Sequence, residues 1–383
     1  MRLTIRPMTC GDLPSLHALL SDPEVMRYIE PVYTRERTEA FLARAGLSPD
    51  PLIYAVDDGD GAFIGYVIYH DYEADSKEIG WVLNRAVWGR GCAQALTEQL
   101  VRRAHAEGRD VVIECAPEQA ATKRIAERNG FRRCGAAAGR EVYRLEQVYR
   151  YETHLHTAPV SRCATASVGE SLAFYEALGY DGVFITNHFL DGNINIDASL
   201  PYEERIRFYF SDYQAAKALE PQLNLRVFCG VETTFLGTDF LIYGLDMDWY
   251  LAHPQIMDMP KREELPLMMD SGALVIQAHP FREANYLDHI RLFPRSVHGV
   301  EVYNAGRTPF ENRMAAQYAR DYALLPFAGS DNHHAGAAKA LGGMQTRAPL
   351  ADEADFVHRV LAGEARCFRG TRHADGFDWQ GIE

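Results

Sequence analysis

From residue 149 onward, the apolar runs of this chain end repeatedly in a residue able to bind a metal ion. The runs close on His154 and His156 in Thr-His-Leu-His-Thr, His188 in Ile-Thr-Asn-His, Glu232 in Cys-Gly-Val-Glu, and His279 in Gln-Ala-His-Pro. The last of them carries Asp331 and His333 in Gly-Ser-Asp-Asn-His. Delivering distant ligands from the ends of short strands demands a fold whose strand ends converge, and an α/β barrel does this at one mouth. His154 and His156 are two apart, as are Asp331 and His333, so on a strand each pair faces one side and can share a site. Imidazoles mixed with carboxylates, without a thiolate set, suit Zn, Mn or Fe better than Ca or a structural zinc knot.

The same half repeats a βα rhythm. Strands are expected at 149–156, 182–186, 225–231, 240–243, 273–277, 299–303 and 324–328, with helices near 168–178, 202–219, 262–270, 311–322 and 352–361. Ser167-Val-Gly-Glu170 reads as a capping box opening the first of these helices. The alternation predicts a parallel α/β barrel. Before it, strands at 3–7, 52–56, 63–69, 78–83 and 111–115 alternate with helices from 12, at 91–107 and at 120–129. A hairpin of 131–133 with 141–145 closes that part. A chain of 383 residues is expected to form two domains, and the boundary falls at 1–147 and 148–383. The junction Arg144-Leu-Glu-Gln-Val-Tyr-Arg-Tyr-Glu-Thr-His154 has no Pro, Gly or Ser spacer. Its bulky residues predict domains that pack together rather than swing.

Composition narrows the partners. Lys and Arg number 39 against 53 Asp and Glu, a net charge of -14, which opposes tracking a phosphate backbone and excludes nucleic acid as a bulk partner. The seven cysteines are scattered without a C-x-x-C pair, the pattern of reduced thiols in a cytoplasmic protein. No apolar run approaches a membrane span.

In the first part, Glu78-Ile-Gly-Trp-Val-Leu-Asn-Arg-Ala-Val-Trp-Gly-Arg-Gly-Cys-Ala93 reads as a strand, a turn and a helix with two glycines at its mouth. Gly89 and Gly91 let the backbone approach a ligand closely, and the first-turn N–H groups favour an anionic phosphate. With Ala-Pro-Glu-Gln-Ala-Ala-Thr-Lys-Arg-Ile-Ala-Glu-Arg-Asn-Gly-Phe131 downstream, this segment resembles the GNAT family of acyl-CoA-dependent N-acetyltransferases over residues 1–146. The resemblance implies that the backbone of Arg90, Gly91, Cys92 and Ala93 holds the pyrophosphate of acetyl-CoA, and that an amine acceptor attacks beside Trp81, Val82 and Leu83. Gln119 and Thr122 stand where many relatives carry Asn and Ser against the CoA arm. Ala126 stands where some relatives carry the tyrosine that protonates the leaving thiolate, so Glu78 is left as the one candidate base and no general acid is visible.

The ligand runs, together with Gly299-Val-Glu301-Val-Tyr-Asn304, resemble the PHP family, named for its polymerase-associated and histidinol-phosphatase members, over residues 150–372. The resemblance implies a distorted (βα)7 barrel with two or three divalent transition metals (Mn, Zn or Fe) at its C-terminal mouth, bound by His154, His156, His188, Glu232, His279, Asp331 and His333. It also implies hydrolysis of phosphate esters by metal-activated water. Arg282 and Arg162 lie in ligand-bearing loops and can fork onto a phosphate; a metal-held water or His333 would protonate the leaving alkoxide. Three departures stand out. Asn187 replaces the aspartate of a Thr-Asp-His motif. Cys163 stands near a usual aspartate or histidine ligand and reads more readily as a buried neutral thiol than as a thiolate. No histidine between Glu232 and His279 matches the usual extra ligand, since His253 sits in a loop-like Ala-His-Pro.

The expectation is an enzyme with two activities: a PHP-type phosphoesterase acting on a small phosphorylated metabolite, joined to an N-acetyltransferase that uses acetyl-CoA. One alternative keeps the phosphoesterase and makes the first domain a non-catalytic acyl-CoA-binding regulatory module. Another, a DNA-repair nuclease, conflicts with the net charge of -14.

Overall fold

The alternation of apolar runs and helical stretches becomes two separate sheets in the computed structural model, which describes residues 2–373 and 376–382. The chain divides into Met1–Gln147 and Val148–Glu383. In the first unit the strands are β1 (Thr4–Arg6), β2 (Ile53–Asp57), β3 (Phe63–Glu73), β4 (Ser76–Leu83), β5 (Asp110–Cys115), β6 (Arg132–Ala137) and β7 (Arg140–Leu145). They form one sheet in the order β1-β2-β3-β4-β5-β7-β6. Only β4 and β5 pair in parallel, and their register covers just Ser76–Glu78 against Asp110–Val112. Past Glu78 and Val112 the two strands continue without pairing to each other, which opens the sheet at its middle. The helix Cys92–Ala106 buries Leu96, Leu100 and Ala104, spaced by four, in one core with Ile79, Leu83 and Ile113. That packing fixes the helix mouth beside the end of β4.

The second unit contains β8 (Tyr149–Leu155), β9 (Gly182–Ile185), β10 (Arg226–Phe235), β11 (Thr238–Tyr243), β12 (Leu274–Gln277), β13 (Gly299–Asn304), β14 (Leu325–Gly329), β15 (Ala340–Thr346), β16 (Arg366–His373) and β17 (Gly376–Gly381). The sheet order is β14-β13-β12-β11-β10-β9-β8-β15-β16-β17. It curls back on itself. A bridge between Leu155 and Asn332, His156 N–H donating to Asn332 O at 3.0 Å, and Thr153 Oγ1 donating to Ala328 O at 2.5 Å tie the first barrel strand to the segment of the last. The fold is α/β throughout, and the second unit is an α/β barrel.

The expectation of a wholly parallel barrel needs correcting at one strand. Pairs β8/β9, β9/β10, β12/β13 and β13/β14 are parallel, but β11 runs antiparallel to both neighbours. The cause is local. Leu236 and Gly237 have φ of +49° and +80°, between Phe235 and Thr238, which pair with each other. Two consecutive positive φ values make a tight hairpin, and a two-residue turn cannot return a parallel strand. The expected helix at 202–219 also divides, into Tyr202–Tyr209 and Ser211–Leu219. Strands β15 to β17 were not anticipated; they extend the sheet beyond β8 by antiparallel pairing.

Candidate functional sites

The barrel strands deliver their polar ends to one place. His154 lies in β8, His156 just beyond it, His188 just after β9, Glu232 in β10, His279 just after β12 and Asp331 just after β14. All seven sequence-expected ligands come together there. His154, His156 and Glu232 form one potential metal-holding group; His154, His279 and Asp331 a second; His156, His188 and His333 a third. His154 Nε2 is 3.1 Å from Glu232 Oε1 and 3.2 Å from His156 Nε2. Asp331 Oδ1 is 3.3 Å from His156 Nε2. Glu232 was expected at a strand end, but β10 runs on to Phe235, so the carboxylate lies inside the strand. His188 is tied to it by a backbone bridge. His279 and Asp331 hold positive φ values of +25° and +54°, the local backbone strain that gathers at ligand-holding sites.

The donors are buried and lack ordinary partners. Glu232 Oε1 and Oε2, His188 Nδ1 and His279 Nε2 are buried atoms in no hydrogen bond. Burial favours neutral Glu232, but His188, His154 and His156 hold its pKa well below the usual carboxylate range. Burial opposes charge on His154 too, yet Glu301, Asp331 and Glu232 lift its pKa well above that of a free imidazole. His156 goes the other way, because burial and the neighbouring His333 and His188 disfavour its cation. Orphaned oxygen and nitrogen lone pairs facing one another are what a divalent cation relieves, and the donor types fit Mn, Zn or Fe.

Asp239 has no place in the sequence-based expectation, and Glu301 appears there only within its motif, without a role. Asp239 joins Glu232 and His279 in a fourth group; it occupies the interval where a histidine was sought. It begins a strand rather than ending one, so a search of strand ends passes over it. Glu301, fully buried, places Oε1 2.9 Å from His154 Nδ1 and takes the His279 N–H on Oε2 at 3.0 Å. A carboxylate behind a ligand imidazole fixes which ring nitrogen faces the metal. His253 is spent on Trp249, with Nδ1 2.7 Å from its carbonyl and the rings stacked.

The flanking residues find distinct places. Asn187 Oδ1 accepts from Thr157 N and Ser161 Oγ while its Nδ2 donates to Asp212 Oδ2 at 3.1 Å. An aspartate there would set two carboxylates against each other, which accounts for the amide. Arg282 reaches the cluster edge, where Nη2 meets Asp239 Oδ2 at 2.9 Å and Gly237 O at 2.7 Å. Arg162 is exposed in its loop. Arg307, which the sequence did not single out, places Nη2 3.8 Å from Asp331 Oδ2. His333 is partly exposed at the rim, its Nδ1 2.8 Å from the Asp331 carbonyl. Cys163 is half-buried rather than buried. Burial raises its pKa, but hydrogen bonds with His188 and His333 outweigh that and bring it to about 6.

In the first unit, Gly91 caps the helix Cys92–Ala106 with φ +80° and no side chain to satisfy the first turn. A Cβ added at Gly89 or Gly91 would meet nothing within 4 Å, so open space adjoins both glycines at the helix mouth, where the Arg90 N–H donates to Val87 O at 3.4 Å. Leu83 is buried at the end of β4, its carbonyl accepting from Trp88 Nε1 at 2.9 Å. Gln119 is committed to its own turn, Oε1 accepting from Ala116 N at 2.8 Å. Glu78 stands where β4 and β5 part, with Oε2 3.3 Å from His70 Nε2. Burial raises its pKa, and nearby Glu114 adds to the rise. Residues 2–132 match the family model described as the acetyltransferase (GNAT) domain. The first unit contains a GNAT-type acetyltransferase domain.

Solved structures give similar likenesses. An acetyltransferase of the GNAT family from Bacillus anthracis is 27% identical, with a TM-score of 0.34, and the match covers 38% of this chain and 95% of that one. Spermidine N-acetyltransferase from Vibrio cholerae, in complex with CoA and spermine, is 21% identical with a TM-score of 0.33, covering 37% and 92%. A two-domain protein from Bacteroides vulgatus containing a predicted PHP-like metal-dependent phosphoesterase is 14% identical with a TM-score of 0.43, covering 57% and 64%.

Proposed function

We propose that the second unit is a PHP-type metal-dependent phosphoesterase acting on a small phosphorylated metabolite, and that the first transfers an acetyl group from acetyl-CoA to an amine. The observation that carries the phosphoesterase is Glu232. Both of its oxygens are buried and in no hydrogen bond, and His154, His156, His188 and His279 stand around them. An ionised carboxylate in that position is costly unless a cation answers it. His154, His156, His188, Glu232, His279, Asp331 and His333 would hold two or three such ions. When bound, divalent metals supply Lewis acidity to a phosphoryl group and an acidified water.

The chain's own residues do the rest. Glu301 orients His154 and the backbone of His279. Arg282, Arg307 and Arg162 bring positive charge to an anionic ester. His333, at the rim, is placed to deliver a proton to the leaving oxygen. In the first unit, Arg90, Gly91, Cys92 and Ala93 offer backbone N–H groups to the pyrophosphate, Leu83 and Gln119 border the acyl arm, and Glu78 accepts the amine proton. One observation favours the reading of this unit as an acyl-CoA-binding regulatory module: Ala126 is fully buried, so that position presents no acid. Screening phosphorylated metabolites for phosphate release with Mn, Zn or Fe, then following acetyl-CoA consumption on the hits, tests both. Phosphate release from none of them would sink the phosphoesterase; acetyl-CoA binding without turnover would establish the regulatory reading.

A further inference from the structure

His154 and His156 both turn Nε2 into the cluster, 3.2 Å from one another. To bind an ion there, each ring must present a lone pair on Nε2 and carry its proton on Nδ1. At His154 the partner of Nδ1 is the Glu301 carboxylate, 2.9 Å away, which can only accept. At His156 it is the Ser161 hydroxyl, 3.1 Å away, and a hydroxyl can donate or accept. Ser161 by itself leaves the tautomer open.

The groups behind Ser161 close that choice. Asn187 Oδ1 accepts the Thr157 N–H at 2.7 Å, and a backbone N–H only donates, so that side of the amide is its oxygen. Ser161 Oγ lies 2.8 Å from the same oxygen and must direct its one hydrogen there. It also accepts the His188 N–H at 3.0 Å. What remains for His156 Nδ1 is a lone pair. The other side of the amide faces Asp212, near the start of the helix Ser211–Leu219. Asp212 Oδ2 accepts from Asn187 Nδ2 at 3.1 Å, from the Thr157 hydroxyl at 2.7 Å and from the Val160 N–H at 3.3 Å. Asn187 Nδ2 also donates to Thr157 Oγ1 at 3.0 Å. Asp212, Asn187, Thr157 and Ser161 are all buried, so bulk water is not at hand to replace a lost partner.

We propose that Asp212 is a positioning residue for the metal centre: through Asn187 and Ser161 it holds His156 with Nδ1 protonated and Nε2 free to bind, and through the Val160 N–H it anchors the loop that carries Ser161. The inference rests on the metal-centre reading above and goes beyond it by assigning control of one ligand to a helix residue three hydrogen bonds away. Glu301 acts on His154 by direct contact; Asp212 acts on His156 through a relay. The direction of each bond in that relay follows from groups that can only donate or only accept, so a single change behind Ser161 reaches His156.

The test uses the full chain. In the metal-free protein carrying isotope-labelled histidine, long-range proton–nitrogen correlation reads the imidazole tautomer, and His156 is assigned by the signal lost in His156→Gln. The expected wild-type state is Nδ1–H, giving way to a mixture of tautomers in Ser161→Ala and in Asp212→Ala. Zinc affinity, read by competition with a fluorescent chelator, should fall roughly 10–100-fold in each. It should fall no further in the double variant, because both changes break one relay. Circular dichroism establishes that each variant is folded; should Asp212→Ala not be, Asn187→Ala breaks the same relay one step nearer His156. Nε2–H in the wild type, unchanged zinc affinity in Asp212→Ala, or losses that multiply in the double variant would overturn the relay while leaving the metal centre standing. Wild type that takes up no zinc overturns the metal centre, and this inference with it.

Discussion

Glu232 and Glu301 are both fully buried carboxylates with opposite circumstances. Glu301 is satisfied by His154, the His279 N–H and Asn304 Nδ2; the carboxylate oxygens of Glu232 are in no hydrogen bond. Their replacements should differ accordingly. Glu301→Gln should keep the fold and the ion count at saturating metal, but weaken metal affinity by roughly 10–100-fold, the usual effect of losing the partner behind a ligand imidazole. Titration with a fluorescent chelator as competitor reads this, and unchanged affinity would remove Glu301 from the orienting role. Glu78 makes a separate prediction. Its pKa is raised, and it must be ionised to accept a proton, so acetyl transfer should decline as pH falls through that raised value. Glu78→Gln should abolish this acid limb and slow the reaction by about 10²–10⁴-fold; a full-rate variant with the limb intact would place the base elsewhere. At this scale the sequence revealed ligands carried beyond a strand, such as His188 and His279, because an apolar run makes them conspicuous. Asp239 was hidden at the head of a reversed strand, and Arg307 in a loop whose proximity to Asp331 arises only from tertiary packing.

Elements decide which of those residues meet. The positions of β9, β12, β13 and β14 were legible because each contains a short apolar run. The direction of β11 was not, since it rests on two positive φ values at Leu236 and Gly237. A Cβ at Gly237 would collide with Leu287 Cδ2, and φ there is +80°. Gly237→Val should therefore disturb the hairpin that presents Asp239 and lower the unfolding midpoint, by about 1–3 kcal/mol in stability. A thermal melt indistinguishable from wild type would contradict the role given to this turn. At the other candidate site, Gly91→Val fills open space at a left-handed position. Acetyl-CoA affinity measured calorimetrically should fall by roughly tenfold or more, about 1.4 kcal/mol, with unchanged affinity displacing the cofactor from this mouth. The first element of the chain carries a pH signature of its own. Hydrogen bonds from Arg6 hold Asp12 at about 2, against an ordinary 3.8. Stability from this pair is present above the ordinary value and is lost as pH falls toward 2, so Asp12→Asn should flatten that part of the acid-denaturation curve.

Over the whole molecule, each unit has cores of its own: Leu96, Leu100 and Ile113 lie in one of the first unit's clusters, and Phe184, Phe228 and Tyr243 in one of the second's. Loss of metal should therefore abolish phosphate release without altering acetyl-CoA affinity. Among the described residues no helix is long and apolar enough to cross a membrane, and the net charge of -14 opposes binding along nucleic acid. Substrate identity was never legible, because both folds carry many chemistries on similar frames. The most direct measurement is the metal content per chain, by inductively coupled plasma mass spectrometry, of the purified protein beside its Asp331→Ala variant. Convergence of His154, His156, His188, Glu232, His279, Asp331 and His333 on one mouth predicts two or more transition-metal ions in the wild type and a clear loss in the variant, with phosphate release abolished. Full metal content and full rate in Asp331→Ala would contradict it.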